Sequence, residues 1–281
     1  MPDTLAKIPA PPRKRKPITA EAAPLKKTVA TKPKSKTVYP VITYACLQFN
    51  LEITPSDISL FREAVLRCIP DDAERTVFSN ETVDEKGKKK NITRYPLVQF
   101  RVRDGYAAIW AMQDAVALAG KFAQEYKKHF AWRHKPYALK LMENTSQESN
   151  YPVRMFNPAL TLRPVVYHLY YYIPFTNAGK NKNYDWIKNN QNLPDTAKTK
   201  KIEQLMTNHL CSFIHYADGF IPKQKIKLTI LDKKLLEHVT FDGRKHMAYD
   251  IRYTVNLYLP DYIGLGNKCS HGFGWQRLEK A

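Results

Sequence analysis

Lys268 and His271 lie in a stretch of eleven residues, Gly264–Gly274, that holds four of the ten glycines in the chain. The order is Gly-apolar-Gly, five residues that include the lysine, and Gly-apolar-Gly again. Glycine accepts positive φ angles and lets another group approach the backbone closely. Successive amide groups in such a turn can bind an anion such as phosphate. The stretch therefore predicts a phosphate-binding loop, and the alternative is a tight turn whose glycines serve packing.

Two common phosphate-binding motifs do not fit this stretch. No Gly-Lys-Ser/Thr closes it, and the chain continues for only seven residues, too few for a dinucleotide-binding unit. The pattern resembles the C-terminal glycine-rich loop of the RAMP superfamily of CRISPR-associated RNA-binding proteins. Within that superfamily it is most similar to the endoribonucleases that cut CRISPR repeat transcripts into guide RNAs. The resemblance implies RNA binding by Gly264, Gly266, Lys268, Gly272 and Gly274.

The resemblance also implies a reaction. A ribose 2′-hydroxyl attacks the adjacent phosphate and leaves a 2′,3′-cyclic phosphate and a 5′-hydroxyl, without a metal or other cofactor. The implied partners are CRISPR repeat RNA and possible further subunits of a CRISPR effector. Two alternatives stay open at this stage. One is a non-catalytic RAMP subunit that holds the repeat-derived handle of guide RNA, and the other is a ribonucleoprotein scaffold outside CRISPR systems.

Such a reaction needs a base at the 2′-oxygen, an acid at the leaving oxygen, and positive charge for the phosphorane. All eight histidines lie at or beyond His129. Many relatives carry a catalytic histidine on or just after the first helix, but residues 54–69 offer only Arg62 and Arg67. The predicted catalytic residues are therefore His271, His209 and Tyr44. A loop histidine exposed to solvent and a core histidine are the plain alternatives for His271 and His209.

A tyrosine-rich strand supplies candidate base-stacking groups. Residues 165–173 alternate, so that Val165, Tyr167, Leu169, Tyr171 and Ile173 share one face. His168, Tyr170 and Tyr172 share the other face and are predicted to stack on RNA bases. A surface strand rich in tyrosine is the alternative interpretation.

The overall charge agrees with a polyanionic partner. The formal net charge is +19, with 45 Lys and Arg against 26 Asp and Glu. Such a balance favours nucleic acid through counterion release, but does not distinguish RNA, DNA and anionic membranes. The four cysteines form no Cys-x-x-Cys pair and fit no zinc site, as expected for reduced thiols in a cytoplasm. The sequence contains no apolar run long enough to cross a membrane.

The order of elements predicts an α+β fold with two tandem ferredoxin-like (RRM-like) βαββαβ domains. Residues 1–37 carry ten Lys and Arg, two acids and seven prolines, which predicts a disordered basic tail. The first domain is predicted at 38–150 and the second, with the glycine-rich loop, at 151–281. The helices are expected at 54–69, 114–130 and 195–216. The strands are expected at 41–53, 73–79, 95–103, 106–111, 137–143, 165–173, 226–231, 235–241, 247–259 and 273–278, with hairpin turns at 104–105 and 242–243.

Overall fold

The structure, a computed structural model, describes residues 39, 41–83, 89–91, 95–142, 153–156, 158–175, 189–190, 192–217, 219–236, 239–241 and 244–279. The basic tail and the turn predicted at 242–243 lie outside the described residues. Residues 36–281 form one compact unit. Within the described part, no helix combines the length and hydropathy that a membrane crossing needs.

Four α-helices lie within the described residues: α1 (Ile58–Cys68), α2 (Asp72–Ser79), α3 (Ala115–Gln124) and α4 (Asp195–Tyr216). The strands are β1 (Ile42–Glu52), β2 (Glu81–Val83), β3 (Lys89–Asn91), β4 (Val98–Arg103), β5 (Tyr106–Met112), β6 (Ala131–Trp132), β7 (Lys135–Pro136), β8 (Val153–Phe156), β9 (Leu160–Tyr172), β10 (Leu228–Leu235), β11 (Val239–Phe241), β12 (Arg244–His246), β13 (Tyr249–Leu257) and β14 (Trp275–Leu278). Short 3-10 helices lie at Pro55–Asp57, Tyr126–His129, Lys223–Lys225 and Cys269–His271.

The first sheet is antiparallel with the strand order β4-β5-β1-β8. The β4–β5 turn is the predicted hairpin, because Asp104 and Gly105 both have positive φ angles of 51° and 85°. One side of β1 packs on α1 and α3 in a core rich in phenylalanine. This core includes Phe49, Phe61, Phe100, Phe122 and Phe130.

Two expectations for this half need correction. Residues 73–79, predicted as a strand, lie in helix α2, because the Asp71 side chain caps the helix by accepting a hydrogen bond from the Glu74 amide at 2.8 Å. Of the strand predicted at 137–143, the described residues 137–142 form one bridge, between Leu141 and Phe49. The edge position beside β1 is completed by β8, which lies beyond the boundary predicted at residue 150.

The second sheet repeats the same arrangement, with the strand order β10-β13-β9-β14. Helix α4 has the predicted bounds and packs its apolar face on this sheet. Where a second helix would stand between β13 and β14, the described chain has the glycine-rich loop and one short 3-10 helix. The fold is thus the predicted pair of ferredoxin-like domains. The second core extends to the other face of the first sheet, where it includes Ile42, Trp110 and Met112, so the two domains share a buried junction.

Candidate functional site

The glycine-rich loop lies in this junction, and close packing accounts for its glycines. A Cβ atom on Gly274, whose φ is +65°, would lie 1.8 Å from the Leu265 carbonyl oxygen. A Cβ atom on Gly272, whose φ is +87°, would lie 2.3 Å from Ile58 Cδ1 in α1. The amide of Gly264 donates to Gln99 Oε1 at 3.0 Å, and Gly274 donates to the Tyr171 carbonyl at 3.1 Å. A role of these glycines in RNA binding stays a prediction.

The backbone of Lys268, three residues before His271, lies in the left-handed region. Two contacts hold the His271 ring. Its Nδ1 lies 2.9 Å from Ser270 Oγ, and its ring meets Phe241 edge-on with the centroids 4.6 Å apart. Lys268 Nζ lies 4.8 Å from the centroid of the same Phe241 ring. Burial, together with the charges of Arg62 and Lys268, lowers the pKa of His271 well below its usual value. The imidazole is therefore neutral at pH 7.

A cleft of about 520 Å³ opens beside His271. The 3-10 helix before α1 contributes Pro55 and Ser56 to its wall, and the glycine-rich loop contributes Gly272 and Phe273. Its lining includes Arg103, Tyr170, Tyr262, His271 and Arg277, and one carboxylate, Asp104. The cleft therefore combines a neutral histidine with two guanidinium groups and one carboxylate.

A row of aromatic rings leads into this cleft. His168 stacks on Tyr170 at 6.2 Å, Tyr170 on Trp275 at 4.2 Å, and Trp275 on Tyr262 at 5.9 Å between centroids. The guanidinium groups of Arg103 and Arg277 lie 5.3 and 5.5 Å from the Tyr262 centroid. Such a row, flanked by positive charge, suits stacking of unpaired bases.

Tyr172 does not belong to this row, and the predicted face is wrong at this residue. Tyr171 has a left-handed φ of 52° and forms a bulge, since β9 has one more residue than β13 between the pairs Leu169–Ile251 and Tyr172–Tyr249. The bulge reverses the alternation. Tyr172 is consequently fully buried in the core.

Comparisons with known proteins assign the chain to a family. The family model of the Cas6b N-terminal domain matches residues 40–150, and that of the Cas6b C-terminal domain matches residues 163–277. The chain belongs to the Cas6b family. A curated relative, an uncharacterised protein of Methanocaldococcus jannaschii, is 29% identical over 82 residues, which are 29% of this chain and 54% of that protein. The chain thus spans about half the length of this curated relative.

Two solved Cas6b structures share the fold of this chain. One is described as the CRISPR RNA processing endoribonuclease Cas6b, with a TM-score of 0.60 and 15% identity over 85% of this chain and 100% of that one. The other, described as Cas6b, has a TM-score of 0.64 and 17% identity over the same shares. At such identities the likeness establishes the fold, and the chemistry must be argued from the site.

The other candidates for proton transfer in this Cas6b protein do not line the cleft beside His271. His209 Nδ1 lies 2.9 Å from the buried Tyr172 hydroxyl, so the ring is anchored to the core. Tyr44 stacks on Trp110 at 5.9 Å and lines a separate, smaller pocket. Arg62, the candidate on α1, donates to the Ser79 carbonyl at 2.7 Å and pairs with Glu81 at 3.3 Å.

Sequence reasoning missed Arg103, Tyr262, Trp275 and Arg277. Trp275 and Arg277 are two residues apart on the strand predicted at 273–278, so they were expected to share one face. The sequence did not indicate which strand lies beside that face. The pairing of Trp275 with Tyr170 and of Arg277 with His168 brings them to the tyrosine strand. Tyr262 precedes the glycine-rich loop, and no local pattern predicts its position between two arginines.

Two half-buried histidines with lowered pKa values predict an acid-sensitive fold. Burial lowers the pKa of His209 to about 4, and the pKa of His271 is also well below its usual value. The unfolded chain binds protons at both rings near pH 6.5, whereas the folded protein does not. Stability should therefore fall as the pH drops below about 6.5, by about 1.4 kcal/mol per pH unit for each histidine.

Denaturant unfolding between about pH 7 and pH 5 measures this loss. We expect His209→Gln to remove roughly half of the pH dependence. His129→Gln is the matched control, since His129 is exposed on its 3-10 helix, and it should leave the dependence unchanged. A stability that stays constant over this range in the unaltered protein would contradict neutral, half-buried rings.

Proposed function

We propose that this protein is an endoribonuclease that cuts CRISPR repeat transcripts into guide RNAs. The proposed step is metal-independent: the 2′-oxygen next to the scissile bond gives its proton to a base and bonds to the phosphorus, while the bond from the phosphorus to the 5′-oxygen of the following nucleotide breaks. The leaving 5′-oxygen takes a proton from water. The products are a 2′,3′-cyclic phosphate and a 5′-hydroxyl. Membership of the Cas6b family supports the substrate. The observation that carries the chemistry is the neutral His271 in one cleft with Arg103 and Arg277.

His271 is assigned as the general base. When Nδ1–H donates to Ser270 Oγ, the lone pair lies on Nε2 and can accept the proton of a 2′-hydroxyl. The lowered pKa keeps the imidazole unprotonated at neutral pH, which a base requires. The assignment needs no metal-bound water, because the nucleophile belongs to the RNA itself.

The cations and the aromatic row have different proposed roles. Arg103 and Arg277 stabilise the charge that develops on the phosphorane oxygens, as preformed donors do in other phosphoryl transfers. Lys268 adds positive charge to the loop beside His271. His168, Tyr170, Trp275 and Tyr262 hold unpaired bases by stacking, so that the backbone is presented to His271.

The alternative is a non-catalytic Cas6b protein that holds the repeat-derived handle of guide RNA. The absence of histidine from residues 54–69 favours it, since Arg62 at that position is paired with Glu81. In this case the cleft and the aromatic row bind RNA without a proton transfer.

Incubation with the repeat RNA of the neighbouring array, in EDTA, tests the proposal. We expect one cut per repeat, with a 2′,3′-cyclic phosphate identified by mass spectrometry of the product ends. An RNA of the same composition in scrambled order is the control and should stay intact. Binding without cutting would support the handle-holding alternative, and 3′-hydroxyl ends would contradict the proposed chemistry.

A further inference from the structure

A second pocket, of about 190 Å³, lies beside the cleft. Three arginines line it: Arg103, Arg154 and Arg277. We call it the arginine pocket. Tyr44 and Cys46 line it as well, and Tyr262 and Asp261 complete the wall. Arg154, Tyr44 and Cys46 belong to this pocket and not to the cleft.

The three arginines come from different strands of both domains. Arg103 ends β4, Arg154 lies on β8, and Arg277 lies on β14. Arg154 pairs directly with Tyr44 of β1, which places the two side chains on one face of the first sheet. Arg103, Tyr262 and Arg277 line both the pocket and the cleft, so the two cavities adjoin. The fold thus assembles a shared cationic site from distant parts of the chain.

The positive charge of this pocket is not balanced by the described residues. Asp261 is its only lining carboxylate, and its Oδ1 accepts the Leu278 amide at 2.6 Å. Arg103 Nε lies 3.6 Å from Asp104, while Arg154 and Arg277 form no ion pair with another described residue. Guanidinium groups without a carboxylate partner attract an anion. Two N–H groups of one guanidinium can donate in parallel to two oxygens of a phosphate.

A buried arginine behind the pocket adds to the charge. Arg101 is 1% exposed, and its Nε and Nη1 atoms have no hydrogen-bond partner among the described residues. Burial lowers its pKa to about 10, so it stays charged at pH 7. Its charge acts on Cys46 in the pocket wall. A buried cation without a carboxylate is costly, and an anion nearby offsets that cost.

We infer that the arginine pocket binds a phosphate group of the RNA, at a position separate from the phosphate that is cut beside His271. The volume equals that of roughly six water molecules, enough for a phosphate group with part of its ribose. Tyr44 and Tyr262 also line the pocket and offer rings for the attached nucleotide. This inference rests on the proposed function for the identity of the RNA, but not on cleavage.

Arg154→Gln tests the inference, because Arg154 lines the arginine pocket but not the cleft. It is also exposed on an edge strand. Binding is measured with repeat RNA that carries a 2′-deoxy scissile nucleotide, over a range of chloride concentrations. We expect Kd to rise roughly tenfold at low salt. The slope of log Kd against log salt should fall by about 0.7, the value for one lost phosphate contact on a single strand.

Arg67→Gln is the matched control, since Arg67 is an exposed arginine on α1 outside both pockets. It should leave Kd and the slope unchanged, and both variants should melt like the unaltered protein. An unchanged slope for Arg154→Gln, or an equal change for Arg67→Gln, would overturn the inference.

Inorganic phosphate distinguishes the source of the bound group. At matched ionic strength it should compete with RNA only weakly and equally for the unaltered protein and Arg154→Gln. Strong competition that Arg154→Gln abolishes would show a site for free phosphate and would overturn the assignment to RNA. If the unaltered protein binds RNA without cutting it, the proposed function fails. The Arg154→Gln binding measurement still decides whether the arginine pocket binds an RNA phosphate.

Discussion

Replacing His271 by alanine is expected to slow single-turnover cleavage of the repeat RNA by roughly 10²–10⁴-fold, the usual cost of losing a general base. The imidazole is neutral because burial and nearby positive charge lower its pKa. It lies in the cleft with both guanidinium groups. RNA affinity should change little, since the stacking rings and arginines remain. Rates measured with saturating protein separate this step from binding.

Two further variants make the His271 result interpretable. His271→Asn retains a polar group beside Ser270 but no base, and the same loss is expected. His209→Ala should lower thermal stability by breaking the contact with Tyr172, while cleavage by the folded fraction stays within a few-fold. If His271→Ala cuts within tenfold of the unaltered rate, the proton transfers belong to other groups. Tyr44, Arg62 and His168 would then be tested next.

Gly274→Ala is expected to destabilise the protein by about 3 kcal/mol or more. The added Cβ would lie 1.8 Å from the Leu265 carbonyl oxygen, and the left-handed φ of +65° is unfavourable for alanine. Because the Gly274 amide also holds the Tyr171 carbonyl, the loop that positions His271 should move. Denaturant unfolding and a cleavage assay measure the two effects.

Gly105→Ala is the matched control for Gly274→Ala. Gly105 has a φ of +85°, but a Cβ atom added there would have no other described atom within 4 Å. This change should therefore lower the free energy of unfolding only through the unfavourable left-handed backbone, by about 1–2 kcal/mol. Equal stability of the two variants would contradict the close packing of the loop.

The sequence predicted those helices and turns that a single local pattern of residues defines. Helix α4 was predicted with its observed bounds because its apolar residues recur at helical spacing. The turn at 104–105 followed from Asp-Gly between alternating strands. Helix α2 was missed because only two residues separate the end of α1 from its N-cap, Asp71, and its apolar residues are few.

The site was less predictable because long-range pairing builds it. Tyr172 was assigned to the wrong face because no local signal marks the bulge at Tyr171. Trp275 and Arg277 reach the tyrosine strand only through the pairing of β14 with β9. The glycine pattern was recognised, yet glycine is required wherever a backbone is approached closely, by a phosphate or by the protein itself. Spacing alone does not distinguish these two cases.

The most direct test of the proposed mechanism replaces one ribose, the scissile nucleotide of the repeat RNA, with 2′-deoxyribose. The substitution removes the nucleophile and, with it, only the contact that the 2′-hydroxyl itself makes. We predict that the protein in EDTA cuts the all-ribose RNA, binds the deoxy RNA with similar affinity, and does not cut it. Cleavage of the deoxy RNA, or loss of all activity in EDTA, would contradict attack by the 2′-hydroxyl at a metal-independent site.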